Sequence, residues 1–418
     1  MQLTGGLPQH FANRMGALLG PDFPAEIGVA VSGGGDSMVL LHLAAGWARV
    51  MGIRLRPVTI DHGLRPESAD EAALVAQECA VLGLGHDVLR WDGWDGRGNL
   101  MAAARQARLD LIGQWRGECR HVLFAHTEDD QAETLLLRLA RGSGVEGLAA
   151  MSHVREVGGW WQVRPLLDVS RADLRHHAAT LRIPFVEDPT NDDPAFARTR
   201  MRHLIRQEGL MAGTLAATAA RMGRAAEALR RRAAAVAVDL WRPDPLSPGA
   251  IALDRDGFAA IEIETCLRIL AGGLCWVSGD PLKPRLDPLE ETLDRVLSGG
   301  TSTLHGGVVL ARGDRIWIAR EAAAQSRAPA AVGTIWDGRW RIDDLPSGTL
   351  EIGPLGEAGW AQLSERPDPR PPQKVLLSLP ALWDGVRLVA CPALGAGQVA
   401  AITLQPPGVN FPESLCGN

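Results

Sequence analysis

The residues that most invite chemistry are Ser32-Gly33-Gly34-Gly35-Asp36-Ser37, a run of hydroxyls and glycines bearing one carboxylate. Glycine lets a backbone turn tightly and approach a phosphate, and N–H groups at a helix start attract negative charge. The Walker pattern Gly-x-x-x-x-Gly-Lys-Ser/Thr does not occur in the sequence, so no lysine of that type holds a β,γ-phosphate. A hydroxyl-rich loop with an aspartate instead suits release of pyrophosphate. Asp36 is then placed to hold Mg2+. The competing account is a plain glycine-rich turn between strand and helix.

Further clusters extend the chemistry. His126-Thr127-Glu128-Asp129-Asp130-Gln131-Ala132-Glu133-Thr134 begins at the carboxyl end of an expected strand, where open parallel sheets bind ligands. Acidic residues in a first helical turn also complement the helix dipole, and that account covers Glu128 and Asp129 well. With His126 and Gln131 alongside, capping alone explains less, and Asp130 becomes a candidate second metal ligand or proton acceptor. Asp61-His62-Gly63-Leu64-Arg65 stands at another strand end. Three strand ends aimed at one crevice make a shared site, in which Asp61, His62 and His126 join the Ser32–Ser37 loop around a nucleotide.

Arginines supply the rest. Arg105 and Arg108 lie three apart on one expected helix, facing either that crevice or solvent. Arg141-Gly142-Ser143-Gly144 reads equally as a helix stop and as an arginine facing a phosphate. Glu187-Asp188-Pro189-Thr190-Asn191 precedes Phe196-Ala197-Arg198-Thr199-Arg200-Met201-Arg202. Alternating arginines beside an aromatic suit backbone phosphates with a stacked base, against the plainer reading of a charged surface.

The elements that must position these residues follow from hydrophobic spacing. Ile27–Val31, Leu55–Ile60, His86–Trp91 and His121–Ala125 read as strands. Helical spacing occupies Met38–Val50, Ser68–Leu82, a stretch capped by Asn99 and running to Gln114, Asp129–Arg141, and a helix from Ser170. Trp161–Val163 adds a short strand. Such alternation predicts an α/β domain with a parallel nucleotide-binding sheet, over residues 1–206. Alanine-rich Leu210–Val238 reads as one long helix, followed by helices near Asp256–Leu270 and Leu286–Leu297 and a β-rich Thr301–Ala319. This mainly helical unit spans 207–321. Ala322–Ala331 reads as a linker, and 332–418 as a C-terminal β-containing region. There, Trp336-Asp337-Gly338 and Trp383-Asp384-Gly385 echo each other.

Composition removes other classes. At 418 residues, 46% hydrophobic and 22% charged, the chain has material for a sizeable core. Met1–Pro24 lacks the features of a signal peptide, and charges break every apolar run before membrane-spanning length, so a cytoplasmic protein is expected. Six scattered cysteines contain no Cys-x-x-Cys pair, which argues against a disulfide framework, a zinc ribbon or an iron–sulfur cluster. The net charge of −6 weighs little against nucleic acid, because arginines 198 to 232 form a local basic run. Lysine occurs only at Lys283 and Lys374, and tyrosine not at all. A biased genome accounts for that skew.

Together, Ser-Gly-Gly-x-Asp-Ser, Asp-His-Gly-Leu-Arg, Gly98-Asn99-Leu100 with Ala104-Arg105-x-x-Arg108, His-x-x-Asp-Asp-Gln-x-Glu-Thr, Arg-Gly-Ser-Gly and Glu-Asp-Pro-Thr-Asn resemble the tRNA(Ile)-lysidine synthetase family. The motifs keep the family's order and cover about residues 26 to 206. The first is shared with all ATP-pyrophosphatases, and the last three are far more specific. Leu109 stands where the family usually has tyrosine, and Thr199 where asparagine is usual. The resemblance implies an adenine-nucleotide α-hydrolase fold, ATP and Mg2+ as cofactors, and free lysine and an isoleucine tRNA with a CAU anticodon as partners. A second copy of the chain is a candidate partner. It also implies catalytic roles for Asp36, Asp130 and Arg108, metal binding by Asp36 and Asp130, and tRNA contacts from Arg105, Arg141, Arg198, Arg200 and Arg202. The rival readings are a tRNA thiolase of the same superfamily, a glutamine-dependent amidotransferase and a non-catalytic nucleotide sensor. Thiolases of this kind commonly carry paired cysteines, an amidotransferase needs an ammonia-producing domain, and a sensor would have no use for so many acidic and basic side chains.

Overall fold

The strand β1 (Glu26–Ala30) has the sequence Glu-Ile-Gly-Val-Ala, with its three central residues buried. It forms the middle of a six-stranded sheet in a computed structural model that describes residues 6–63, 68–91, 93–94, 96–187, 196–398, 400–405 and 410–416. Leu64, Arg65, Asp92, Asp95 and Asp188-Pro189-Thr190-Asn191 of the motifs and loops above lie outside the described residues. The chain divides into two compact units, Met1–Ala226 and Glu227–Asn418.

In the first unit, α1 (Gly6–Leu19) precedes β1. Then follow α2 (Gly35–Met51), β2 (Arg54–Asp61), α3 (Ser68–Val81), β3 (Asp87–Arg90), α4 (Leu100–Trp115), β4 (His121–Leu123) and α5 (Glu128–Leu139). A short α6 (Val145–Leu148), a hairpin of β5 (Val154–Val157) and β6 (Trp160–Val163), α7 (Arg171–Leu181) and α8 (Ala197–Gln207) come next. Helix α9 (Ala212–Leu240) runs through the boundary between the units. The sheet order is β3-β2-β1-β4-β6-β5. All neighbours are parallel except β5, which joins β6 antiparallel as an edge. The α/β class therefore stands as expected, with one antiparallel edge added. That edge strand is weakly marked in sequence because Arg155 and Glu156 at its centre are exposed.

Topology places the site. From β1 the chain moves outward through β2 and β3, then returns to β4 on the other side of β1. Loops leaving β1 and β4 consequently diverge, opening a crevice at their carboxyl ends. Helix α2 anchors the arrangement: ten of its residues are buried, from Ser37 to Ala48. Gly52, at φ 69°, ends it in the left-handed conformation that favours glycine. Asn99 caps α4 by accepting from the Ala102 N–H, as its sequence position predicts.

In the second unit, Ile251–Asp254, Arg315–Arg320, Gly307–Arg312 and Thr301–Leu304 form an antiparallel sheet. Helices Ile263–Ser278 and Leu286–Leu297 share a core with it. The single helix expected over Asp256–Leu270 is interrupted: Arg255–Ala259 ends before Glu262, whose carbonyl accepts from Thr265 and Cys266 to start a second helix. The expected linker is a folded connection. Ala328–Pro329 pairs with Glu351 and Ile352, and buried Gln325 donates to Asp337 at 3.0 Å. Both Trp-Asp-Gly echoes are hairpin turns, with Asp337 at φ 51°, Gly338 at φ 65° and Gly385 at φ 59°. They share turn chemistry. Among the described residues no helix is long and apolar enough to cross a membrane.

Candidate active site

The loop after β1 is held by its own side chains. Ser37 is buried; its Oγ donates to the Gly34 carbonyl at 2.8 Å and accepts from the Ser32 N–H at 3.1 Å. Ser37 therefore braces the loop from inside, while Ser32 remains exposed. Gly33 has φ 84°, a left-handed conformation that L side chains resist, and its Cα faces Glu71. The edge of Phe185 lies against Gly35, and the Val186 N–H donates to the Gly33 carbonyl at 3.0 Å. So the segment entering the Glu187–Asn191 motif is paired to the loop. Gly34 is the N-cap of α2 and has no side chain to cap it. The first N–H groups of a long helix are thereby left open toward the crevice, a ready anion site.

Opposite the loop, α5 opens with a capping box: Thr127 accepts from the Asp130 N–H, and Asp130 Oδ2 accepts from the Thr127 N–H at 2.8 Å. Thr127 is the N-cap and Asp130 its reciprocal partner, while Glu128 and Asp129 lie in the same first turn. Gln131 serves the scaffold too, exchanging hydrogen bonds with Met151 at 2.8 Å in both directions.

Sequence reasoning missed Arg171, the side chain that joins the two sides. It is the first residue of α7. Its Nε donates to Asp36 Oδ2 at 3.1 Å, its Nη2 to Asp130 Oδ1 at 2.8 Å and its Nη1 to Glu133 Oε1 at 3.2 Å. Its backbone N–H donates to Asp129 Oδ2 at 2.7 Å. Burial pushes Asp36 up to about 6, although Arg171 pulls the other way. For Asp130, burial is outweighed by Arg171 and the Thr127 hydrogen bond, which hold its carboxyl below the usual range. Both Asp130 oxygens already accept hydrogen bonds, Oδ2 from Thr127 and Oδ1 from Arg171.

At the end of β2, Asp61 Oδ1 accepts from the Gly63 N–H at 2.8 Å, turning the chain. His62 lies edge-on to Trp91, with ring centroids 5.8 Å apart, and its Nε2 is 3.4 Å from Arg108 Nη2. That contact brings α4 to the β2 end. Burial keeps His126 neutral, its pKa pushed down to about 3. Its Nδ1 is buried without a hydrogen-bond partner among the described residues.

The arginines separate into two kinds. Arg105, Arg108 and Arg198 lie within electrostatic reach of one another. Arg200 and Arg141 are exposed. Arg202 differs, because its Nε donates to Glu133 Oε1 at 2.9 Å. That bond ties α8 to α5, so a free phosphate contact is not its only job.

The carboxylates of Asp36, Asp130 and Glu133 present hard oxygens of the kind Mg2+ prefers. Glu133 Oε2 is buried without a hydrogen-bond partner among the described residues, and the charge on buried Asp36 is disfavoured until a cation arrives. These oxygens suit a divalent cation in kind, although among the described residues no group of three or more His, Cys, Asp or Glu side chains forms a ready metal site.

A glycine loop on an uncapped helix, facing an acidic cluster across a switch point, defines an ATP-using PP-loop protein. Residues 7–208 match the family model described as PP-loop domain. A tRNA(Ile)-lysidine synthase of Ruegeria pomeroyi is 39% identical over 420 residues, covering 99% of each chain. One from Methylobacterium nodulans is 41% identical over 297 residues, covering 68% of this chain and 85% of its own. The chain belongs to the tRNA(Ile)-lysidine synthase family. A solved U34-tRNA thiolase, NcsA of Methanococcus maripaludis, is 14% identical with a TM-score of 0.45, covering 52% of this chain and 77% of that one. That likeness carries no argument about function.

Proposed function

We propose that this chain ligates lysine to C2 of the wobble cytidine, position 34, of an isoleucine tRNA with a CAU anticodon. The reaction forms lysidine through an adenylated tRNA and releases pyrophosphate and AMP. The observation that carries the reading is the open start of α2, set against the Asp36–Asp130–Glu133 carboxylates in a chain of this family. In the first step the cytosine O2 attacks the α-phosphorus of ATP and pyrophosphate leaves. The backbone N–H groups from Gly34 onward receive the departing pyrophosphate, in a loop that Ser37 holds rigid. In the second step the lysine ε-amine attacks C2, and AMP leaves.

Asp36, with Glu133 behind it, would hold Mg2+, which supplies positive charge against the phosphate oxygens. Asp130 is proposed to orient this pair. Arg105, Arg108 and Arg198 are proposed to receive phosphates of ATP or of the anticodon loop, with Arg141 and Arg200 as outer contacts. A single-stranded loop presents its base at small unstacking cost. Residues 207–321 are proposed to hold the remainder of the tRNA.

The thiolase alternative needs an activated thiol. The first unit's two cysteines, Cys79 and Cys119, are buried, and burial pushes the first up to about 11 and the second upward too. Thiols of that kind are poor nucleophiles.

The test is incorporation of radiolabelled lysine into an unmodified CAU-anticodon isoleucine tRNA transcript, with ATP and Mg2+. Incorporation that disappears in Asp36→Ala establishes the reaction and the loop's role. ATP cleavage to AMP and pyrophosphate without lysine incorporation rejects lysine as the nucleophile.

A further inference from the structure

Arg171 occupies a costly place for a cation. It is the first residue of α7, where the positive end of the helix dipole disfavours a cation. Helix capping gives it no reason to be there, since Ser170 and the Asp173 N–H already serve that purpose. What balances it is the crevice. Three of its N–H groups go to three different carboxylates: Asp36 on the β1 side, Asp130 and Glu133 on the β4 side. Without it, half-buried Asp36 would face buried Asp130 uncompensated, and Glu133 would keep only Arg202.

The contacts are unequal in kind. Asp36 is held by Nε alone, while the two Nη groups stay with α5. The guanidinium can release Asp36 and still keep two carboxylates. Glu133 Oε2 is a further buried acceptor beside it.

We propose that Arg171 is the resident counter-cation of this acidic cluster, a positioning residue that yields Asp36 to the metal–nucleotide complex while keeping Asp130 and Glu133 aligned. It rests on the reading that Asp36 binds a metal with ATP. Arg171 thereby makes divalent-cation binding conditional on nucleotide. Its charge repels a bare ion, and the negative triphosphate brought with the metal offsets that repulsion.

The experiment uses the full chain and reads Mn2+ binding by the electron paramagnetic resonance signal of free ion, with and without a non-hydrolysable ATP analogue. The native chain is expected to bind Mn2+ weakly alone and strongly with the analogue. Arg171→Met is expected to bind Mn2+ alone about tenfold more tightly than the native chain, and Arg171→Lys, which reaches fewer carboxylates, about threefold. Adding Asp36→Asn to Arg171→Met must abolish the gain. Unchanged affinity in folded Arg171→Met, or a gain that survives Asp36→Asn, overturns the proposal. If Arg171→Met does not fold, the lysine variant decides alone: a native-like affinity overturns it. Native chain that shows this Mn2+ behaviour but incorporates no lysine overturns the proposed reaction and leaves the counter-cation in place.

Discussion

Glu133 Oε1 accepts from Arg202 Nε at 2.9 Å, with the Glu133 side chain 1% exposed. The same oxygen accepts from Arg171, so one buried carboxylate joins the helix that bears Arg198 and Arg200 to the cluster around Asp36. Removing its charge leaves two half-buried arginines facing each other. Breaking a buried pair in this way costs about 3 kcal/mol. Glu133→Gln is expected to lower the urea midpoint of the chain accordingly. An unchanged midpoint would mean that α8 is held mainly by its packing.

Two neighbouring glycines separate fold from ligand approach. At Gly33, with φ 84°, alanine forces a disfavoured conformation costing about 1–2 kcal/mol and meets Glu71 at 3.4 Å. Gly34 has φ −74°, and an added Cβ has only Ser32 Oγ nearby at 3.7 Å. Gly34→Ala should therefore melt within about 0.5 kcal/mol of the native chain. If phosphates lie against the backbone there, calorimetry with ATP will still show weaker binding. Full ATP affinity in Gly34→Ala would place the phosphates elsewhere.

How much of this was legible depended on the kind of signal. Strand–loop–helix order was readable because apolar runs stop at glycine and carboxylate clusters, and Asn99 marked its helix in advance. The three strand-end clusters did come to one end of the sheet. Roles inside each cluster were less readable. Ser37, Gln131 and Asp130 have polar side chains suited to a ligand, yet each is engaged by backbone groups close by in the fold. Arg171 is hard to assign from sequence because it lies 41 and 38 residues from Asp130 and Glu133 and 135 from Asp36. A signal did exist: a cation in the first turn of a capped helix opposes the dipole and wants an explanation. The first helix, Gly6–Leu19, escaped because that stretch was read for targeting features alone.

Asp36→Asn tests the metal reading with little change of shape. Losing the carboxylate that would hold a cation against the developing phosphate charge is expected to cost about 10²–10³ in rate. Lysine incorporation should fall by that factor, while the melting temperature holds or rises, because burial already disfavours the Asp36 charge. The sign follows from the raised pKa: the folded state prefers the neutral form, which asparagine mimics. Retained incorporation would remove Asp36 from the reaction.

Arg198 and Arg202 sit four residues apart on α8 and should fail differently. Arg198 lies beside Arg105 and Arg108, a cluster suited to phosphate. Arg198→Ala should weaken tRNA binding and reduce the slope of log affinity against log salt by about 0.7, the value for one phosphate contact on a single strand. Its urea midpoint should stay near native. Arg202 is already committed to Glu133, so Arg202→Ala should lower the midpoint and leave the salt slope nearly intact. Filter binding across a salt series, with denaturation of the same two proteins, distinguishes these outcomes. A reversed pattern, with Arg202 setting the slope and Arg198 the stability, would mean that tRNA draws Arg202 off Glu133 on binding, and that the α5–α8 tie opens as part of the reaction.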